Sequence, residues 1–304
     1  MAVTAAAVNE LRQATGCGLM DCKKALVECD GDMEKAVVYL REKGLAGAEK
    51  KAARVAAEGM AYAAVSGGVG SIVEVNCESD FVAGNELFVS FVKGVAEVVA
   101  KEDPASDNAL LECKWTDGKQ TVADAKNELF LSVRENMKIR RFARVDSGLC
   151  VPYVHMKGTV AVLVQLDTES TDERVVELGK DIAMQIAAMN PQFLDKSDVD
   201  EGFIEKEKEI RLAQAKQDPS NAKKPDAIIE KIVMGGINKY FKEICLLQQA
   251  YVKGTGEDVA AHVAEVSKAV GAPIVVKSFI RYAKGEGIEK REDNLADEVA
   301  KMIG

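Results

Sequence analysis

The stretch Glu74-Val75-Asn76-Cys77-Glu78-Ser79-Asp80-Phe81-Val82-Ala83 decides how the middle of this chain folds. Residues 72–77 follow a Gly67-Gly68-Val69-Gly70 turn and are rich in β-branched side chains, so they read as a strand. The strand runs into a short loop carrying an acid, a bulky aromatic and two small apolar residues. Asn85 then caps a helix that ends before Pro104. Its apolar positions, Leu87, Phe88, Phe91, Val92, Val95, Val98 and Val99, recur at helical spacing. Phe81 has two readings. It is either a core residue sealing the strand-to-helix corner, as most phenylalanines are, or an aromatic at an exposed loop tip, the kind of residue that anchors a partner.

Working outward, the same order occurs twice. Residues 60–66 and 72–77 form strands around a glycine turn, followed by a loop and the helix just described. Residues 151–156 and 159–166 form strands around Lys157-Gly158. A loop and a helix follow; the helix begins near Asp172, carries Val175, Leu178, Ile182, Ile186 and Met189, and ends at Asn190-Pro191. We therefore expect two related α/β subdomains with antiparallel sheets. A helix over about 121–137 and a strand at 138–145 complete the first, and a late strand at 273–282 completes the second.

Residues 1 to about 45 read as three short helices, broken at Thr15-Gly16-Cys17-Gly18 and Asp30-Gly31-Asp32, with Gly44 ending the third. An Ala/Lys/Glu-rich linker, 46–58, whose composition also suits a helix, follows. Between the second long helix and the late strand lies an insertion. Its first arm, 199–217, is highly charged, with only Phe203, Ile204, Ile210 and Leu212 apolar. Its second arm carries Ile229, Ile232, Val233, Ile237, Tyr240, Phe241, Ile244 and Leu247 three and four apart. We read an antiparallel, coiled-coil-like helical hairpin, with a kink or a close helix contact at Gly235-Gly236. A last short helix, capped by Asp293 or Asn294, carries Leu295, Val299 and Ile303. The expected class is thus α+β. Its parts are an N-terminal three-helix module with linker (1–54), a first subdomain (55–145), a second subdomain (146–288) with the hairpin at 198–250, and a C-terminal helical module (289–304).

Composition narrows function. The chain has 304 residues and a net charge of −9, against broad phosphate neutralisation of a nucleic acid. No run approaches the ~20 apolar residues of a membrane span. The start, Met1-Ala2-Val3-Thr4-Ala5, lacks a basic segment before an apolar core, so a signal peptide is not expected and a cytoplasmic location is. The seven cysteines are scattered with no Cys-x-x-Cys pair, and the only histidines are His155 and His262; free thiols and no metal site are expected. No phosphate-cradling Gly-x-x-x-x-Gly-Lys-Ser/Thr loop and no Gly-x-Ser-x-Gly elbow occurs. A Cys77 or Cys150 nucleophile with His155 as base stays open, since such pairs meet in space and not in sequence. The plainer reading of His155 is a hydrogen-bonded surface strand residue.

The opening stretch resembles a signature of the translation elongation factor Ts family, Glu-apolar-Asn-small-acid/amide-Thr/Ser-Asp-Phe-apolar. A second family signature is similar to residues 11–26, Leu-Arg-Gln-Ala-Thr-Gly-Cys-Gly-Leu-Met-Asp-Cys-Lys-Lys-Ala-Leu. Gly84 departs from the family's usual Lys, Arg or Asn. The resemblance implies a ubiquitin-associated-like N-terminal module and a guanine nucleotide exchange factor, not an enzyme of covalent chemistry. It would act without a cofactor on elongation factor Tu in its GDP-bound and nucleotide-free states. By the same resemblance, Phe81 wedges into the partner's GTPase domain and disturbs its Mg²⁺ site, beside Asp80 and Val82. Asp21, Cys22 and Lys23 form a contact near the start, on a module read as docking through an outer surface with Met20 and Lys23. His155 matches a family histidine that touches the partner's distal domain. Val252 and Lys253 match an apolar pair after the hairpin, Lys253 departing from it. The C-terminal helix touches the GTPase domain. A scaffolding role without exchange activity is the alternative, and monomer and homodimer both stay open.

Overall fold

The computed structural model describes residues 3–221 and 224–289; the C-terminal helix expected from Asp293 or Asn294 onward lies outside them. The described residues divide into two compact units. One comprises 3–145, 154–161 and 282–289, the other 146–153 and the described part of 162–281. The architecture is α+β.

The first unit opens with α1 (Ala5–Thr15), α2 (Leu19–Glu28) and α3 (Met33–Lys51). Thr4 and Asp32 cap α1 and α3 by accepting from the amides of Ala7 (3.2 Å) and Lys35 (3.1 Å), and Gly16 stops α1 at φ 66°. Leu11, Cys22, Ala25, Leu26 and Ala36 are fully buried between the three helices. The expectation that Gly44 ends the third helix fails: α3 runs on to Lys51. A Cβ on Gly44 would lie 2.6 Å from Leu131 Cδ2. Glycine there allows two helices to approach closely and does not stop one.

A three-stranded antiparallel sheet follows, β1 (Glu58–Ser66), β2 (Val69–Cys77) and β3 (Met137–Val145), with β2 in the centre. Between β2 and β3 lie α4 (Asp80–Ala83), α5 (Glu86–Glu102), α6 (Asp107–Glu112) and α7 (Val122–Val133). Helix α5 buries Phe88, Phe91, Val92, Val95, Val98 and Val99 in the core it shares with the sheet. Leu87, expected on that apolar face, is 56% exposed, because it sits in the first turn of α5 beside the Asn85 cap. Helix α7 begins at its Thr121–Asp124 capping box, but it is shorter than expected: Arg134 turns left-handed at φ 60° and its N–H closes on Phe130 O at 2.8 Å. Helix α6 was not foreseen.

The β2–β3 pairing contains a bulge. Glu74 faces Arg141, the next pair is Val75 with Ile139, and Arg140 is the extra residue. In a regular strand, neighbouring side chains face opposite sides; a bulge sets two residues against one. Here it brings both arginines to the fully buried Glu74 carboxylate, Arg140 at 3.0 Å and Arg141 at 2.6 Å. The Gly285 amide (2.7 Å) and Asn76 Nδ2 (3.2 Å) donate to the same carboxylate, and Arg141 also pairs with Glu286 at 3.0 Å. On the other side of β2, Gly59 has φ 132° and lies so near the Val75 carbonyl that a Cβ would come within 2.1 Å of it.

The second unit holds β4 (Leu149–His155), β5 (Val160–Asp167), α8 (Glu173–Met189), α9 (Glu201–Gln217), α10 (Asp226–Ile244), α11 (Val259–Val270) and β6 (Val275–Ala283), except for the strand ends that the boundaries above assign to the first. The sheet order is β4–β5–β6, antiparallel. Asp172 caps α8, which buries Val175, Leu178, Ile182 and Ile186. Helices α9 and α10 form the antiparallel hairpin. Along α10, Ile229, Val233, Ile237 and Ile244 are buried, whereas Ile232, read as part of the seam, is 40% exposed. Helix α10 passes unbroken through Gly235-Gly236; the close contact exists at Gly236, where a Cβ would meet Arg211 Nη1 at 3.3 Å.

Two outcomes follow. Glu74→Ala removes the carboxylate that two partly buried guanidinium groups share, leaving Arg141 its Glu286 partner, and is expected to lower the first unit's stability by about 3 kcal/mol, measured by urea unfolding with Trp115 fluorescence. On α8, a Cβ at Gly179 would meet Val151 Cγ2 at 2.5 Å and Cβ at 2.9 Å. Overpacking against a stiff β-branched side chain, roughly 1–3 kcal/mol, exceeds the ~1 kcal/mol that alanine gains in a helix. Gly179→Ala should therefore destabilise the second unit, lowering the urea midpoint in far-UV circular dichroism.

Candidate partner-binding site

The candidate site is the corner where β2 hands over to α5. Beyond Cys77 the backbone is held residue by residue. Glu78 Oε1 accepts from the Asn136 amide at 2.6 Å, and its Oε2 pairs with Arg54 at 3.3 Å. The amide and hydroxyl of Ser79 both donate to the Glu135 carboxylate, at 2.9 and 2.6 Å. Ser79 Oγ accepts from the Val82 amide at 3.3 Å, capping the single turn of α4. Cys77 Sγ donates to Ser79 O at 3.1 Å. Burial, reinforced by the Glu135 and Glu58 carboxylates, pushes that thiol up to about 12. Cys77 is therefore a protonated donor inside the corner and not a thiolate nucleophile.

On this anchored turn the side chains divide sharply. Val82 is buried and packs into the core. Phe81 is 87% exposed. An isolated exposed aromatic of this kind loses the ~1.5–3 kcal/mol that burial would supply, so the core reading of Phe81 is excluded. Asp80 is exposed in the first turn of α4. A Cβ on Gly84 would touch nothing closer than Asp80 O at 3.5 Å, so larger side chains fit there as well.

The residues from the first signature lie on α2. Met20 is 73% exposed, Lys23 is exposed and Leu19 is 46% exposed. Asp21 is ion-paired with Arg134. Cys22 is fully buried, its Sγ donating to Cys17 O at 3.7 Å, and burial pushes its thiol up. The side chains of Cys22 and Val82 are thus packing groups beneath a surface, not part of it.

His155 ends β4 at a turn, residues 156–158, in which Met156 and Lys157 both have positive φ (44° and 55°). Met156 is 72% exposed. The turn seats on β1 through Gly158, whose missing Cβ leaves room for Met60 Cγ. Val252 belongs to the second unit and is 50% exposed. Its amide donates to Gln185 Oε1 at 2.9 Å, and the buried Gln185 in turn donates to Gln249 and to Ala250 O, both at 3.1 Å. Lys253 pairs with Asp181 at 2.7 Å, and Tyr251 donates to the same carboxylate at 2.8 Å. Tyr251 also stacks on His262, ring centres 4.0 Å apart. His262 is therefore a packing partner on α11.

Sequence reading passed over Arg134, which pairs with Asp21, Glu135, which holds the Ser79 cap of α4, and Asn136, which bonds Glu78. The helix periodicity carried the expected helix through them to Met137, and only the left-handed turn at Arg134 exposes their role. Among the described residues no helix is long and apolar enough to cross a membrane.

Comparison with known proteins accords with this geometry. The profile of the family described as Elongation factor TS matches residues 78–286. The chain is 53% identical over 306 aligned positions to Elongation factor Ts of Clostridium perfringens strain 13, covering 99% of both chains. It is 48% identical to Elongation factor Ts of Clostridium botulinum strain Okra, covering 99% of this chain and 98% of that one. The two signatures, the anchored aromatic tip and near-complete coverage at about half identity together place this chain in the elongation factor Ts family.

Proposed function

We propose that this chain is a guanine nucleotide exchange factor. It binds elongation factor Tu, in the GDP-bound state and after the nucleotide has left, and promotes GDP release during translation elongation in the cytoplasm. The observation that carries the mechanism is Phe81, a bulky aromatic almost wholly exposed on a turn that its backbone cannot easily leave. In this reading Phe81 inserts into the partner's GTPase domain and disturbs the Mg²⁺ site, and Asp80 makes the neighbouring polar contact. Met20, Asp21 and Lys23 on α2, His155 at the end of β4 and Val252 supply further contact. Cys22 and Val82 support those surfaces from inside.

The energetics set what the contacts must do. Whatever factor the protein takes from GDP affinity, GDP takes equally from the protein's affinity. A thousandfold weakening corresponds to about 4 kcal/mol of differential contact. Burying one phenylalanine contributes about 1.5–3 kcal/mol, so Phe81 carries a large share and the other exposed apolar groups the remainder. No covalent bond is made or broken by this chain. The work is the stabilisation of a nucleotide-free partner.

The test is release of a fluorescent GDP analogue from elongation factor Tu. The wild-type chain should accelerate it strongly, and Phe81→Ala should lose tenfold or more, equivalent to about 1.4 kcal/mol. Because Phe81 is exposed, the same substitution should leave folding stability within about 0.5 kcal/mol. Undiminished acceleration by Phe81→Ala rejects the wedge; no acceleration by folded wild type rejects the exchange reading.

A further inference from the structure

The exposed side chains on α2 and on the α4 tip are 61 positions apart in sequence (Met20 to Phe81), yet one short loop contacts the elements that carry both. Arg134 reaches Asp21 on α2, and its carbonyl accepts from Lys51 on α3. Glu135 takes both donors of Ser79, the residue that caps α4. Asn136 gives its amide to Glu78 and its side chain to Arg54 O (2.8 Å) and Ala52 O (3.3 Å), just past α3. The loop exists because Arg134 leaves the helix in a left-handed conformation, φ 60°, that a non-glycine residue adopts at some cost. Arg134 Nε also bonds back to Leu131 O at 3.0 Å. A flexible connector would need neither the strained residue nor this set of bonds.

We infer that residues 134–136 form a positioning clamp. Glu135 holds the tip that carries Phe81 and Arg134 holds α2 at Asp21, so that Met20 and Phe81 reach the partner as a preset pair. Preset geometry matters because ordering a mobile loop at binding subtracts from affinity. For the tip, this ordering affects the step in which Phe81 acts. For α2, it affects docking. Glu135 and Arg134 are positioning residues, and the inference builds on the exchange reading above.

The experiment separates the two. Amide hydrogen exchange is first measured on the full chain without partner, for wild type, Glu135→Ala, Glu135→Gln and Arg134→Gly. The probes are the amides of Val82, Ala83 and Gly84, which bond to Ser79 Oγ, Ser79 O and Asp80 O and do not touch Glu135. Glu135→Ala should speed their exchange at least tenfold while the α5 core amides stay as in wild type. Glu135→Gln, which keeps an oxygen acceptor, should restore most of the protection. Arg134→Gly suits the left-handed position and keeps the fold, so its tip amides should match wild type. Tip amides unchanged in Glu135→Ala overturn the clamp, whatever happens with nucleotide.

GDP release from elongation factor Tu is then measured. Glu135→Ala should lower the maximal rate at least fivefold with less than a threefold change in half-saturating concentration. Arg134→Gly should raise the half-saturating concentration at least threefold with the maximal rate kept. A loosened tip with a wild-type maximal rate, in a protein whose Phe81→Ala variant is impaired, overturns the positioning role. If Phe81→Ala itself is unimpaired, the wedge reading fails, and the amide result alone decides whether the clamp holds the tip.

Discussion

A buried carboxylate must be neutralised where it stands, and Glu74 in the middle of β2 imposes that requirement on the first unit. One arginine on a regular partner strand would supply a single guanidinium. The bulge at Glu74/Val75 supplies two from consecutive residues. The remaining oxygen capacity is taken by the Gly285 amide and Asn76, and Arg141 extends the network to Glu286 and to the face of Tyr282, 4.2 Å from the ring centre. A buried carboxylate left without partners would be costly, whereas one bonded to two guanidinium groups and two further donors holds the strands in a single register. That register determines where β2 ends, and so where the tip begins.

From that end point the unit changes character within a few residues. The Glu78 and Ser79 side chains are engaged by the loop after α7 and by Arg54 after α3, and the Cys77 thiol donates to Ser79 O within the corner. Two residues further on, Phe81 stands almost wholly in solvent. The contrast is physically coherent. An exposed aromatic can act as a wedge only if the backbone beneath it resists being pushed back. The hydrogen bonds of Ser79 and the burial of Val82 provide that resistance without covering the ring.

The parts of the fold that were legible in sequence are those governed by local rules. The Asn85 cap and the helix start at Asp172 sit where side-chain oxygens meet the first free amides, and the repeated strand–turn–strand–helix order followed from periodicity. The errors arose where a neighbour distant in sequence overrode a local preference. Gly44 reads as a helix stop until Leu131 is seen against it, and Arg134 reads as a helix residue until its left-handed turn is seen. Ile232 and Leu87 fit an apolar face by spacing but lie outward, because spacing gives a stripe and only packing gives its edges.

For the site, the sequence alone determined which residues form the motif and that Phe81 had to be either sealed in or presented. It could not choose, because both outcomes use the same strand, loop and helix. The tertiary structure chose, by filling the corner with Val82 and by holding Ser79 from Glu135, 56 residues further along the chain. Burial and hydrogen bonding between distant segments are properties of the assembled chain. They decide which side of a short turn faces water, and with it whether an aromatic residue packs or recognises.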